Sequence, residues 1–573
     1  MPSSEVGRRN LARKVSEQMS TSGLLGQIRR ARIVVLFVAL LLVFGVVSYP
    51  RSADTRMKQL YSIGLGGVTG AANNTVLVFG RYVLVAPFAP TKGISDDGYL
   101  DLDNLDNSSL YLVDAKKPTS PLITKDMSGW DPTPGHSKTV FFPTRVAYDE
   151  KSSNVYVRGV RFEESDGDVT PVDVIAYVNL HQDSDGTPKF DNNVVLIDIP
   201  RASNKRSGSA PLYFAVSGQG DLLVFTNGAT VYSYNLIEGY IQELGIVDAS
   251  DYGANDSISY LNVDPATNIV SICRNREISD ESSQTITTSE LSFYRLGQYG
   301  SFQLLKHVNP EDFPDGAALA AGSNVAIVSD PDKESSAIAT FVTRDGSLCT
   351  VDLDDEGTST TARRINKFQE LAQNDDSDSS PVLVSYDSGS KAIGIVKPGF
   401  TVQISRPSNG RRGRISRPSN IHIASGQPVF AMARLNKKNK VSSAKAFTDA
   451  FKDEGGLSNF VSGDNSQWLI STYSGNLYSV SLGDDLKDST LGLIGPLGSN
   501  VDRIDYYSDR ASLVAISSFT LDPDGIRMST PGSLVVVKLS QSSGDAMLQA
   551  LLPTAYALGR QAPSIRRPSN VRR

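Results

Sequence analysis

Side chains able to do chemistry are sparse in this chain and widely spaced. Its 573 residues hold only 2 Cys and 4 His, which excludes a disulfide framework, a Cys-rich zinc module and any mechanism built on several imidazoles. His136, His181, His307 and His422 each lack a Cys or His at ligand spacing, so each reads as a surface or structural residue. Cys273 and Cys349 read as two buried free thiols. A disulfide is the alternative, in an oxidising compartment and with Cα atoms within ~7 Å. Carboxylates cluster more densely: Asp101, Asp103 and Asp106; Glu164, Asp166 and Asp168; Asp183 and Asp185; Asp354, Asp355 and Glu356; Asp522 and Asp524. Oxygen ligands at such short spacings suit calcium in a flexible loop, and Asp101, Asp103 and Asp106 are the best placed. None of the clusters completes the twelve-residue loop that ends in a bidentate Glu. Asp-rich turns between strands also arise without any ion. No organic cofactor is implied, and calcium is the one ion the sequence offers a place to.

A second kind of chemistry is electrostatic. One hexapeptide occurs three times: Ile404-Ser-Arg-Pro-Ser-Asn409, Ile415-Ser-Arg-Pro-Ser-Asn420 and Ile565-Arg-Arg-Pro-Ser-Asn570. Around the copies lie Arg406, Arg411, Arg412, Arg414 and Arg417, then Arg566, Arg567, Arg572 and Arg573, with no acid among them. Residues 1–50 carry seven basic against two acidic side chains, a surplus of five. With the nine arginines above and a chain total of −6, everything else holds a net −20. An acidic body with two basic arms can fold the arms back on itself or present them to an external polyanion such as phospholipid or a glycopolymer. A solvated, Pro-containing loop and tail is the plainer reading. A basophilic kinase site at Arg-Arg-Pro-Ser would need a cytosolic arm. Nucleic acid is not expected, because the arms hold no aromatic residue for stacking and the acidic body repels phosphate.

What positions these groups begins with Ile33–Tyr49, IVVLFVALLLVFGVVSY, seventeen residues without a charge, preceded by Arg29, Arg30 and Arg32. At 1.5 Å per residue the run covers about 25 Å, enough for a single membrane span with Arg32 snorkelling. A cleaved signal peptide is the alternative, but a 32-residue lead is long for one and no Ala-x-Ala precedes a cut. Arg8, Arg9, Arg13, Lys14 and the three arginines at the span keep the N-terminal side in the cytoplasm. More than five hundred residues are then delivered outside. The boundaries expected are a cytoplasmic basic segment 1–31, a transmembrane signal-anchor helix 32–50, a linker 51–74, a β domain 75–555 with a basic insertion 404–420, and a basic disordered tail 556–573.

From Thr75 to Pro553 sustained helical periodicity is missing, apart from short candidates at 364–372 and 444–452. What recurs is four to eight residues rich in Val, Ile, Leu, Tyr and Phe, closed by Asp, Asn, Gly or Ser, the signal of strands and turns. Gly228–Leu236, Gly346–Leu353 and Gly475–Leu482 share a pattern in which a turn Gly precedes alternating apolar residues. Val231 to Leu348 is 117 residues and Leu348 to Leu477 is 129, so two units of about sixty lie between copies. NVDPATNIVSICRN, VAYDEKSSNVYVRG and VSYDSGSKAIGIV count as further units. The region holds eight repeats, or seven with long loops.

The run Asp345–Leu353 resembles the quinoprotein-type propeller repeat, and VAYDEKSSNVYVRG at 146–159 is similar to the YVTN-type repeat. Repeats of four short strands cannot bury both faces alone, and radial stacking closes them into a ring; the resemblance agrees, so the fold expected is all-β, a seven- or eight-bladed β-propeller, preceded by the one N-terminal transmembrane helix of the apolar run, and the resemblance brings no catalytic residue with it. Quinone-dependent relatives carry a docking Trp in most blades and a vicinal Cys pair. This chain has two Trp and no such pair, so redox chemistry is not implied. Ser462–Trp468 resembles a sialidase Asp box, with Trp one residue early and in a single copy. Two or three β-sandwich domains in series are the alternative architecture, with linkers at 202–209, 278–288 and 374–380. The function expected is a protein-binding or scaffold module of the cell envelope or surface, not an enzyme. The alternatives are an extracytoplasmic hydrolase of glycans or peptides, using acidic loop residues as general acid and base, and an adhesin gripping anionic envelope polymer through its arginine arms.

Overall fold

The computed structural model describes residues 55–541 apart from internal stretches, the longest being 65–74, 87–102, 128–137, 200–212, 245–256 and 405–419. The chain divides into two units, Asp54–Ser542 and a second made of Met1–Ala53 with Ser543–Arg573. The second, which contains the apolar run 33–49, lies outside the described residues. Among those described, no helix is long and apolar enough to cross a membrane.

Eight antiparallel four-stranded sheets make up the described unit, with two small hairpins added. The first sheet runs from Thr75–Val78 to Ile123–Asp126, the second from Lys138–Asp149 to Pro188–Ile197, and the third from Phe214–Val216 to Tyr240–Leu244. The fourth runs from Ser257–Val263 to Phe302–Val308 and the fifth from Ala326–Ser329 to Arg363–Lys367. The sixth runs from Leu383–Asp387 to Val441–Phe447, and the seventh from Leu457–Gly463 to Thr490–Pro496. In the first five sheets and the seventh, consecutive strands simply pair in order, as an up-and-down meander. The sixth keeps that order around an inserted hairpin, Phe400–Ile404 with Asn420–Ala424. The eighth contains Val501–Tyr507, Ser512–Ser517 and Ser533–Gln541, and takes its fourth strand from the other end of the chain: Thr55–Gly64 pairs with Ser533–Gln541. That strand corrects the linker expected at 51–74. Its sequence, TRMKQLYSIG, reads as polar and irregular because an edge strand pairs on one side only.

The expected helices are absent as well. Residues 444–447 belong to the strand Val441–Phe447 and residues 364–367 to Arg363–Lys367, each followed by a single 3-10 turn, Asp449–Phe451 and Gln369–Leu371. Tandem sandwiches do not describe the arrangement, since the second to seventh sheets each pack against two others. Each of these six offers a core on both faces. Leu222 and Val224 pack toward the fourth sheet with Val270 and Ile272, while Leu223 and Phe225 pack toward the second with Tyr156 and Ile175. Ile269, Cys273 and Phe293 meet Ala339, Phe341 and Cys349 of the fifth sheet. Val342 and Leu348 meet Ile393 and Ile395 of the sixth. Val396, Phe430 and Met432 meet Phe460, Trp468 and Ile470 of the seventh, and Leu469 meets Val501 and Val537 of the eighth. The first and second sheets share Leu84, Leu112, Phe141 and Val157. Burial of both faces explains why the second strands are near-continuous apolar runs rather than alternating ones.

Local turn chemistry repeats with the sheets. The three Gly-led segments form third strands of the third, fifth and seventh sheets, while the three Asp-containing segments span the first turn of the second, fourth and sixth. In the latter, Asp149 accepts from the Lys151 and Ser152 amides at 3.0 and 3.1 Å. Asp264 accepts from the Thr267 amide and hydroxyl at 2.9 and 2.6 Å, and Asp387 from the Ser390 amide and hydroxyl at 3.0 and 2.5 Å. Each turn then passes through a left-handed residue, Ser153, Asn268 or Lys391, with φ near +55°, a combination the Asp cap stabilises. Turns of adjacent sheets also touch: the Gly218 amide donates to Asn268 Oδ1 at 2.9 Å, and a Cβ on Gly218 would fall 1.7 Å from the Pro265 carbonyl oxygen.

Trp468 is fully buried against Phe430 and Phe460, with ring centroids 6.3 and 5.5 Å away, and its indole N–H has no acceptor among the described residues. Replacing it by Phe removes both apolar area and an unsatisfied donor, so Trp468→Phe is expected to cost under about 1.5 kcal/mol. Trp468→Ala, which leaves a cavity between two sheets, is expected to cost ~3–5 kcal/mol. Denaturant unfolding of both variants checks this; equal losses would refute the packing described.

Candidate functional site

Of the residues singled out for chemistry, the structure describes some and brings few together. Asp103 is exposed, while Asp101 and Asp106 lie outside the described residues. Among the described residues no group of three His, Cys, Asp or Glu could hold a metal ion. His181, next to the end of the strand Asp168–Gln182, lies between Asp183 (Nε2 to Oδ1, 3.6 Å) and Asp191 (Nδ1 to Oδ1, 3.2 Å). His307 Nδ1 shares a 2.9 Å hydrogen bond with Ser292 Oγ. Cys273 and Cys349 are free and buried in one core between the fourth and fifth sheets. Burial pushes the Cys273 thiol up to about 11 and the Cys349 thiol up to about 12, so both stay protonated and unreactive at neutral pH.

Two other carboxylates carry more weight, and both fix turns between second and third strands. In the fifth sheet, Asp345 accepts from Thr343 Oγ1 at 2.6 Å, Ser347 Oγ at 2.8 Å and Lys367 Nζ at 2.9 Å. Burial alone would raise its carboxyl, but these donors outweigh burial and hold it well below the carboxylate range. In the seventh sheet the matching turn is Thr472-Tyr-Ser-Gly-Asn476, which has no acid of its own. Glu454, on the connection leading in, supplies the charge. Its carboxylate accepts from Thr472 Oγ1 at 2.9 Å, Asn476 Nδ2 at 2.9 Å, the Tyr478 hydroxyl at 2.5 Å and the Ser474 hydroxyl. Its backbone oxygen takes the Ser474 amide at 3.2 Å. Burial works to raise this carboxyl too, and the donors from Ser474, Tyr478, Asn476 and Thr472 reverse the sign and lower it. Four donors leave Glu454 no vacancy as a general base. It is a strut.

The strut has something to support. Tyr473, at the tip of the turn, packs its ring at 5.5 Å and a 50° tilt against Phe400, the first residue of the inserted hairpin. Phe400 is 5% exposed, and Gly456, at φ +120°, lies so close that a Cβ would sit 2.1 Å from its ring. The Leu457 amide donates to the Pro398 carbonyl at 2.9 Å. Lys397, 2% exposed, sends its ammonium to the Ala372 carbonyl at 3.0 Å. The hairpin base is therefore clamped between the connections on both sides of the sixth sheet. Backbone pairing continues from Phe400 opposite Ala424 to Ile404 opposite Asn420. Those last partners open the first arginine hexapeptide and close the second. Arg406, Arg411, Arg412, Arg414 and Arg417 fall in the fifteen residues 405–419 between them, and these, like Arg566, Arg567, Arg572 and Arg573, lie outside the described residues.

Glu454 carries no motif and was not singled out in the sequence. The signal that could have found it is the comparison of Thr343-x-Asp-Gly-Ser347 with Thr472-x-Ser-Gly-Asn476: a turn that has lost its acid needs one from elsewhere. A small apolar surface was missed as well: Ile237, Tyr240 and Tyr299 are exposed on adjacent turns of the third and fourth sheets, and the Tyr240 hydroxyl donates to the Tyr299 carbonyl at 2.6 Å. Apolar residues at turn positions, as in NLIEGY, were its trace.

No protein-family model matches the chain, and no curated protein matches it in sequence. Among solved structures, it is similar to the WD40 domain of SCAP from fission yeast at 10% identity, covering 84% of this chain and 94% of that one, with a TM-score of 0.38. It is similar to a chain of the Chaetomium thermophilum Nup170 NTD–Nup53 complex at 10% identity, covering 90% and 64%, TM-score 0.35. With Chaetomium thermophilum Raptor the identity is 11%, the coverage 85% and 29%, and the TM-score 0.34. The chain thus spans less than a third of Raptor's length. Likeness at this level says nothing of binding or activity.

Because its donors hold the Glu454 carboxyl low in the fold, its contribution is present above the unfolded value of ~4.3 and is lost as pH falls through the lower folded value. Glu454→Gln is expected to destabilise by ~2 kcal/mol at pH 7, with the difference from wild type shrinking below about pH 4. Thermal unfolding across pH 3–8 reads this, and a pH-independent difference would contradict the strut.

Proposed function

We propose that the chain is a membrane-anchored, extracytoplasmic scaffold that binds protein partners of the cell envelope or surface. The eight sheets close into a ring, an eight-bladed propeller. Seven sheet-to-sheet connections lead from the fourth strand of one sheet to the first strand of the next. Thr55–Gly64, fourth strand of the eighth sheet, leads on to Thr75–Val78 in the same way and supplies the eighth. Ring closure removes the exposed edges that a row of separate sheets would leave. Residues 33–49 span the bilayer, with residues 1–31 in the cytoplasm, as the seven basic residues before the span favour.

The observation that carries the binding role is the clamped hairpin. A rigid frame that fixes the root of a long, charged excursion is the arrangement of a recognition loop rather than of a reaction centre. Both added hairpins, Phe400–Ala424 and Thr520–Thr530, sit between second and third strands, so the partner face is the end of the sheets that bears them. The arginines between Ile404 and Asn420 give this face affinity for anionic groups, which supports a polyanion such as an acidic envelope polymer as a further ligand.

Two experiments test the reading. Replacing residues 405–419 by a short Gly-Ser turn keeps the Ile404–Asn420 closure, so the melting temperature is expected to stay within about 2 °C, while partners recovered by mild crosslinking with the wild type disappear. Retention of the same partners would overturn the assignment of the face. For orientation, protease added to intact cells is expected to digest the body and spare residues 1–30; a protected body would reverse the topology.

A further inference from the structure

Six large apolar side chains are exposed among the described residues, and three of them, Ile237, Tyr240 and Tyr299, share one place. They sit on the turns between third and fourth strands of the third and fourth sheets, at the end of the sheets away from both inserted hairpins. Neither turn needs them. Asn235 Oδ1 accepts from the amides of Ile237 and Glu238 at 2.9 and 3.0 Å, and Gly239 takes the left-handed position at φ +68°. The Asn cap and the glycine therefore shape the first turn whatever side chain stands at 237. Gly300, at φ +86°, serves the second turn in the same way. The two turns are also fastened to each other. Buried Ser233 Oγ donates to the Gly300 carbonyl at 2.6 Å, and the Tyr240 hydroxyl donates to the Tyr299 carbonyl at 2.6 Å. Ile237 and Tyr299, 77% and 60% exposed, are apolar surface kept in water on a fixed backbone, and a surface that needs no ordering on contact binds at lower entropic cost.

The charges around this surface choose its partner. On the strands and turns concerned, residues 230–244 and 288–308, the exposed charged side chains are Glu238, Glu243 and Arg295. The equivalent turn of the second sheet carries Asp183 and Asp185, and that of the fifth carries Asp352 and Asp354, all exposed. An apolar centre thus lies between acidic turns on both sides, and its two tyrosine rings offer their faces to a cation. In the sixth sheet the sign turns, with exposed Lys438 and Lys440. We propose that Ile237, Tyr240 and Tyr299 form a docking surface for a peptide segment of a partner protein whose aliphatic or aromatic residues are flanked by Lys or Arg. The apolar residues of that segment cover Ile237 and Tyr299, while its cations meet the tyrosine faces, Glu238 and the acidic turns. Three side chains make far too small a patch for a stable dimer, which buries about 1,200–2,000 Å², so a second copy is not the occupant. The surface is separate from the hairpin face and stands whichever side of a membrane the body occupies.

The test uses the full chain and a fluorescein-labelled peptide, Lys-Lys-Leu-Phe-Leu-Lys-Lys, followed by fluorescence anisotropy. In one control peptide Ser replaces Leu and Phe, and in another Glu replaces Lys. The wild type is expected to bind the first peptide about tenfold or more tightly than either control. Ile237→Ser combined with Tyr299→Ser is expected to weaken binding about tenfold or more, with the melting temperature within about 2 °C of wild type because both side chains are exposed. Glu238→Gln is expected to weaken it about threefold at low salt and to have no effect at high salt. Equal binding by wild type and the double variant, or of either control peptide, reduces the attraction to the general acidity or greasiness of the body and overturns the proposal, as does no binding at all. A sedimentation mass that doubles with concentration in the wild type and not in the double variant makes a second copy the occupant, which also overturns it. The chain with a Gly-Ser turn in place of residues 405–419 is expected to bind the peptide as the wild type does; loss of binding there would place the peptide on the hairpin face and overturn the proposal while leaving the scaffold reading intact.

Discussion

Burial of both faces of nearly every sheet is the constraint on which the rest of this molecule depends. Four short strands cannot make a core alone. The second to seventh sheets each lie between two others, and side chains one residue apart, such as Leu222 and Leu223 or Phe341 and Val342, belong to different cores. A one-residue slip in any strand would exchange the two faces and misfit two interfaces at once. Register is accordingly pinned at the turns, by Asp caps with left-handed residues in the second, fourth and sixth sheets and by glycine turns in the fifth and seventh. The same constraint explains why the last sheet accepts a strand from the opposite end of the chain rather than leave Ser533–Gln541 as an open edge.

How much of this can be read from the sequence follows from how much of it is local. The second strands are legible because burial on two sides writes an unbroken apolar run, and the turn motifs are legible because a capping Asp and a hydroxyl three residues later must lie in one short stretch. Their spacing even separates the odd from the even sheets. Thr55–Gly64 is not legible, since an edge strand tolerates polar residues and its partner lies almost five hundred residues away. The segments at 364–372 and 444–452 deceive because a strand and a following 3-10 turn together imitate helical spacing, as Ala444, Phe447 and Phe451 do.

For the site, the sequence offers charge and repetition but no geometry. The three hexapeptides are visible at once, yet nothing local says that two of them flank a hairpin whose root is wedged by Phe400, Tyr473 and Gly456. Glu454 is invisible for the same reason: its role is defined by a turn twenty residues on. Outside the acidic clusters, Asp149, Asp264, Asp345 and Asp387 are engaged by their own turns, the ordinary fate of carboxylates between strands.

The close fit of Gly218 against Pro265, where neighbouring first turns meet, has a counterpart in the placing of both inserted hairpins at the opposite end of their sheets. At that contact backbone meets backbone so closely that an added Cβ has nowhere to go. The hairpin end accepts 31 residues between Lys397 and Val429 and 15 between Ser517 and Ser533 without disturbing a ladder. What the molecule meets on the hairpin side can therefore change while the turn between Gly218 and Pro265 keeps its shape.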